Sequence, residues 1–372
     1  MKVTSRQTAL RALLAISVGV ACGAATSAWA NDADENVSFV QRNLDSNIEG
    51  RAHVNDPNLQ NAWGLAFAPG SPYWVNANHS GVATLYRGDG SIVPLVVTIP
   101  PPMGSQTGTI AAPTGMIWNP TSAFLLPGSK FAAIFIFDTE DGTISAWNPN
   151  VDPTNAVIAV DNSTTGAVYK GLAFGTNING NNIYATNFRG GKIEVFDSTF
   201  SPAKTDGQFE DSHIPFGFAP FGIQNIDGDL WVTYAKQNAE KMDDVGGPGS
   251  GFVDVFDTDG HLLRRFAEHG ALNSPWGLAR APYGFGQFSG DILVGNFKDG
   301  KINAFDSRGN FRGALKKPNG SAISIDGLWA LEFGGGAKSS PEWLFFTAGP
   351  NDETNGVFGV INAVPRPHDR DD

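Results

Sequence analysis

Trp63-Gly64-Leu65 opens a series of six short segments in which a glycine sits beside large or apolar residues. It is followed by Thr114-Gly115-Met116, Lys170-Gly171-Leu172, Phe221-Gly222-Ile223, Trp276-Gly277-Leu278 and Asp326-Gly327-Leu328. The glycines are 51, 56, 51, 55 and 50 residues apart. A period near fifty residues is the spacing of propeller blades. Downstream of each glycine comes a β-rich run, such as Ile183-Tyr184-Ala185 or Leu230-Trp231-Val232. A polar turn follows, then an alternating strand that ends in an aromatic residue and aspartate. Lys192 to Asp197, Phe252 to Asp257 and Lys301 to Asp306 are three copies of it. Its period of two marks a strand. The turns Asp89-Gly90, Asp259-Gly260 and Arg308-Gly309 lead into a shorter fourth strand, as at Leu262 to Phe266.

Four antiparallel strands repeated six times predict an all-β, six-bladed β-propeller over residues 31–364. The last unit lacks an evident fourth strand. Val37 to Arg42 can supply it, closing the ring by the N-terminal strand and covering an open sheet edge.

Composition agrees. The 372 residues include 45 Gly and 23 Pro, and only 17% are charged, as expected of a turn-rich β protein. The net charge of −12 and the lack of a basic stripe argue against nucleic-acid binding. Residues 1–30 read as a signal peptide: Lys2, Arg6 and Arg11 precede an apolar run from Ala12 to Ala25, and Ala28-Trp29-Ala30 ends it. The expectation is a protein secreted or periplasmic after cleavage near Ala30. The single cysteine, Cys22, leaves with that segment, and with it thiol chemistry. No later run reaches the length of a membrane span. Residues 365–372 read as a polar tail, and the chain is expected to be a monomer.

Gly295 to Lys301 matches the start of a phosphate-binding loop, but Ile302 replaces the Ser or Thr that would hold magnesium. It reads as a hairpin turn. HExxH, CxxC and GxSxG are absent, and no catalytic residue can be assigned.

By analogy with propellers generally, a ligand funnel is expected on the face shared by the loops entering the inner strands and the loops between strands two and three. The residues expected to bind there are Asn61, Trp63, His79, Lys170, Arg189, Tyr234, Lys236, Trp276 and Asn351. Several have plainer readings. Trp63 and Trp276 also suit packing between blades, and Lys170 and Asp326 suit an ion pair at the axis. Asn187, Asn296 and Asp138 each stand four residues before a turn glycine, where turn capping is the simpler role. An insertion from Tyr234 to Gly249 interrupts the fourth unit. Such a loop suits a lid or a Ca²⁺ loop with Asp243 and Asp244 as hard oxygen ligands.

Asn61–Leu65 (NAWGL), Ala185–Gly191 (ATNFRGG), Ala219–Asn225 (APFGIQN), Tyr234–Gln237 (YAKQ), Gly251–Asp257 (GFVDVFD), Asn273–Leu278 (NSPWGL) and Phe346–Asp352 (FTAGPND) together resemble a family of uncharacterised secreted bacterial propeller proteins. The wider similarity is to NHL-repeat propellers and, more remotely, to gluconolactonase-type propellers. The resemblance implies the fold and export but no established chemistry. From the gluconolactonase type it implies a divalent metal at the axis, for which Asp326, Asn187 and Asp138 are counterparts by chemistry. The leading expectation is a propeller that binds a small molecule, a polysaccharide or a protein at the axis. The alternative is a metal-dependent hydrolase or lactonase.

Overall fold

A computed structural model describes residues 37–365; the predicted signal peptide and residues 366–372 of the predicted tail lie outside them. Six antiparallel sheets succeed one another around an axis. Blade 1 comprises Ala62–Ala66, Tyr73–Ala77, Val82–Tyr86 and Ile92–Thr98, counted from the axis outward. Blade 2 comprises Pro113–Trp118, Phe135–Thr139, Thr143–Trp147 and Val157–Asp161. Blade 3 has three strands, Tyr169–Asn177, Gly180–Asn187 and Lys192–Asp197. In place of the expected fourth it has an isolated bridge between Phe196 and Pro202. Blade 4 comprises Phe218–Ile226, Asp229–Lys236, Phe252–Phe256 and Leu262–Glu268. Blade 5 comprises Pro275–Arg280, Ile292–Asn296, Ile302–Phe305 and Phe311–Ala314. Blade 6 is Leu328–Phe333, Leu344–Ala348 and Val357–Pro365, with Val37–Ser46 as its fourth strand and the short Val54–Asn55 parallel to that strand at the outer edge. That N-terminal strand runs antiparallel to Val357–Pro365, from Val37 opposite Pro365 to Ser46 opposite Val357. The ring closes as the sequence predicts.

The repeat glycines have a steric cause. Each of the first five lies in a bulge of an inner strand, pressed against the next blade. A Cβ on Gly64 would come 2.2 Å from the Thr114 carbonyl oxygen, and one on Gly222 2.3 Å from that of Trp276. Register corrects the sixth. Leu328 pairs with Ala348 across the same bulge that pairs Pro275 with Asn296. The counterpart of Trp276-Gly277-Leu278 is therefore Trp329-Ala330-Leu331, three residues later than the predicted Asp326-Gly327-Leu328. Gly327 is glycine for another reason: its φ of 66° matches the left-handed backbone of Asn61 (47°) and Ser274 (50°) at the entry to their inner strands.

One second-strand residue per blade faces this bulge. Asn76 donates to the Thr114 and Gly115 carbonyls at 3.0 and 3.1 Å, Thr186 to the Phe221 carbonyl at 2.8 Å, and Thr347 to that of Trp63. These buried side chains satisfy inner-strand carbonyls of the next blade and tie the sheets together. The strand-three aspartates close the outer hairpins. Asp257 accepts the amides of Asp259 and His261, and Asp306 those of Arg308 and Asn310. Gly260 and Gly309 beside them have φ near 88° and 85°. The Gly295–Lys301 loop is a hairpin turn, with the Asn296 amide donating to the Lys301 carbonyl at 2.9 Å.

Candidate functional site

The axis has two ends. At the upper end, where the inner strands begin, the residue before each bulge position is Trp63, Thr114, Lys170, Phe221, Trp276 or Trp329. Four of the six are aromatic, and they form a plug. Trp63 stacks on Trp329 with ring centroids 3.6 Å apart and planes 12° from parallel, and Phe297 stacks on the same ring at 4.0 Å. Trp276 and Phe221 meet it edge-on at 5.9 and 5.8 Å. These arrangements suit the ring quadrupoles.

Lys170 stands over this plug and is 2% exposed. Its ammonium lies 5.2 Å from the Trp63 ring centroid and 5.9 Å from that of Phe188. It donates to Glu140 and lies 3.6 Å from Asp243. Burial opposes the charge, but Glu140 outweighs it and the pKa rises above the usual lysine range. Glu353 faces the same cluster. Burial, then the Glu140 charge, pushes its carboxyl up to about 7 against the pull of Lys170. Asn61, buried, donates to Glu353 at 2.9 Å and accepts from the Trp329 indole at 3.0 Å. The insertion in blade 4 covers the cluster. Asp243 reaches Lys170, Asp244 lies 3.4 Å from Lys298, and the Gln237 amide donates to the Phe188 carbonyl at 2.5 Å.

The structure thus brings Asn61, Trp63, Lys170, Trp276 and Asp243 to one mouth, bonded chiefly to one another and to the protein. The remaining predicted residues are dispersed. His79 and Lys236 are exposed, Arg189 is exposed against Met242, and Tyr234 is buried in the core between blades 3 and 4. Asn351 is exposed, and its amide donates to Asp326 at 2.9 Å.

The predicted metal ligands do not converge. Asp138, fully buried, takes the bulge-facing place of Thr186 and accepts from the Thr114 hydroxyl at 2.8 Å. Burial pushes its carboxyl up to about 7, against the hydrogen bonds from Thr114 and Gly115. It stands one strand position before the place of Asn187, opposite Tyr169, and Asn296, opposite Pro275; Thr139 fills that place in blade 2. One step along a strand turns a side chain to the other face, so the predicted equivalence fails. Asn187 caps its turn by accepting the Gly190 amide at 2.9 Å. Asp326 stands outside the axial ring, because Trp329 occupies the position paired with Lys170 in the prediction. Asp243 and Asp244 face lysines. Among the described residues no three of His, Cys, Asp and Glu are grouped to hold a metal ion.

The lower end is open. A cavity of about 450 Å³ is lined by Leu65, Phe67, Met116, Trp118, Leu172 and Phe174 with Gln224, Asn225 and Glu332. A narrow extension of about 20 Å³ runs up the axis past Ile223, Leu278 and Leu331 to Trp276. The Gln224 amide donates to Glu332 Oε2 at 3.2 Å, from blade 4 to blade 6. Burial pushes the Glu332 carboxyl up to about 7, opposed by Gln224 and the Phe333 amide. The sequence did carry a signal for this pair. One residue past the bulge, the six inner strands hold Ala66, Ile117, Ala173, Gln224, Ala279 and Glu332. Only two are polar, but they align only once blade 6 is shifted onto Trp329.

Fold and axis define the class: a six-bladed propeller with one sealed and one open axial mouth. No family model matches the chain. It is 31% identical over 332 residues to an uncharacterized protein of Acanthamoeba polyphaga mimivirus, covering 86% of this chain and 78% of that one. A second uncharacterized protein of the same virus is 31% identical over 322 residues, covering 82% and 81%. The chain belongs to the family of these proteins; these relatives are viral, where the resemblance pointed to bacterial ones. Among solved structures, it is similar to a catalytically inactive virginiamycin B lyase from Staphylococcus aureus with quinupristin. The TM-score is 0.52 at 12% identity, over 88% of this chain and 99% of that one. A gluconolactonase from Xanthomonas campestris gives 0.49 at 15% identity, over 82% and 88%. At 12% identity the likeness to the lyase shows the propeller fold alone. No helix among the described residues is long and apolar enough to cross a membrane.

Proposed function

We propose that this protein binds a small molecule at the lower end of its axis. The observation that carries the reading is the open cavity of about 450 Å³, lined mostly by apolar residues with Gln224, Asn225 and Glu332 at one side. An apolar body with a few convergent polar groups is the usual build of a ligand site. The upper mouth, by contrast, is filled by the chain's own rings and ion pairs. Binding is favoured over turnover because Glu332 is the sole ionisable group lining the cavity, without a histidine, serine or cysteine beside it. The predicted signal peptide supports a role outside the cytoplasm. A mature N-terminus at Asn31, read by mass spectrometry of exported protein, is the expected result; uncleaved protein retained in the cell overturns that part.

The site is tested with Nile red, a neutral apolar dye whose emission rises in dry surroundings. The wild-type chain should bind it. Gln224→Trp, which grows a ring from the half-buried cavity wall, should lose it at unchanged melting temperature. Equal emission from both proteins, or none from the wild type, overturns the assignment.

A further inference from the structure

The carboxyl in the cavity wall has no counter-charge. Glu332 meets the Gln224 side chain and the Phe333 amide, both neutral, and no cation is among the groups that act on it. No lysine, arginine or histidine lines the cavity or its extension. At the upper mouth, by contrast, Glu140 has Lys170 and Asp244 has Lys298; Asp138, which also lacks a base, is closed off in the core and hydrogen-bonded to Thr114. Elsewhere the cavity wall includes aromatic residues, Phe67 from blade 1, Trp118 from blade 2 and Phe174 from blade 3. Four of the six blades place alanine or isoleucine at this inner-strand position, so the fold does not require an acid there.

We propose that the cavity binds a hydrophobic organic cation, an ammonium group on an aromatic or aliphatic body. The ammonium lies against Glu332 and the body against Phe67, Trp118 and Phe174. This rests on the lower cavity being the ligand site. A buried carboxylate without a counter-charge, beside apolar residues, gains most from a cation that brings its own apolar cover. Aromatic faces attract the same charge, and a net charge of −12 draws cations toward the protein. The empty cavity holds Glu332 protonated up to about pH 7, so an arriving ammonium displaces that proton. Binding therefore strengthens as pH rises toward the Glu332 pKa and levels off above it.

The full chain is titrated by calorimetry with 2-phenylethylammonium and with its neutral analogue 2-phenylethanol, in two buffers of different ionisation heat at about pH 6. The expected result is a preference for the ammonium of about tenfold or more, with close to one proton released per ligand. Glu332→Gln should erase the preference. The proton count on the unsubstituted chain decides the matter even if that variant fails to fold. Nile red uptake without preference for the ammonium, or a preference without proton release, overturns the cation assignment and leaves the cavity reading standing. No Nile red uptake by the wild-type chain overturns the cavity reading and, with it, the cation assignment that rests on it.

Discussion

The two ends of the axis are built from the same six inner strands and treat charge in opposite ways. At the upper end Lys170, 2% exposed, is answered by Glu140 and Asp243 and lies over the Trp63 and Phe188 rings. At the lower end Glu332 has a neutral amide, three aromatic side chains on the wall and open space. Charge alone does not mark a ligand site, since the upper mouth has more of it. A carboxyl without a counter-charge is the better mark where it also lines an open cavity, as Glu332 does and the enclosed Asp138 does not, because its burial lowers stability unless something else repays it.

The largest effect on this contrast is expected from the plug. Trp329→Ala removes the ring that meets Trp63, Trp276, Phe221 and Phe297, and should lower stability by about 3–5 kcal/mol in urea unfolding. A small loss would mean that the upper end is not a structural seal. Lys170→Ala leaves Glu140 and Glu353 facing each other without their cation and should cost about 3 kcal/mol. If it proves neutral, the buried charge there is no more structural than the one below.

Glu332→Gln should act in the reverse direction. The folded-state pKa is raised from 4.5 to about 7. The native chain thus keeps a proton that the unfolded chain loses within that window. The contribution of Glu332 to stability is fully present below about pH 4.5, is lost as pH rises toward 7 and stays lost above it. The glutamine variant should match the parent near pH 4 and exceed it at pH 8, by on the order of 1 kcal/mol after allowance for solvent screening. A variant less stable than the parent at pH 8 would break the comparison. The smallest change is expected at the edge of the seal. The Asp243 side chain is 67% exposed, so Asp243→Asn should cost less than about 1 kcal/mol. A larger loss would make the insertion a fixed part of the plug.

The propeller was legible because its cause is local and repeated. Gly64, Gly115, Gly171, Gly222 and Gly277 recur where a Cβ would strike the next blade, and the Phe-Asp strand ends recur because the carboxylate closes a turn. The site was legible only in part. Asn61, Trp63, Lys170 and Trp276 do gather at one mouth, but as its filling. Two register steps hid the rest. Gly327 drew the sixth repeat three residues out of place, concealing Trp329 and Glu332. Asp138 was matched to Asn187, although it lies one strand position away on the other face.

By itself the sequence determined blade number, strand order and ring closure, since period, alternation and turn chemistry are properties of neighbouring residues. Tertiary structure alone decided which end of the axis is open. That depends on which side chains from several blades, up to 292 residues apart in hydrogen-bonded contact, fill the same space. Volume and counter-charge at an axis are sums over the whole ring, and no single repeat contains them.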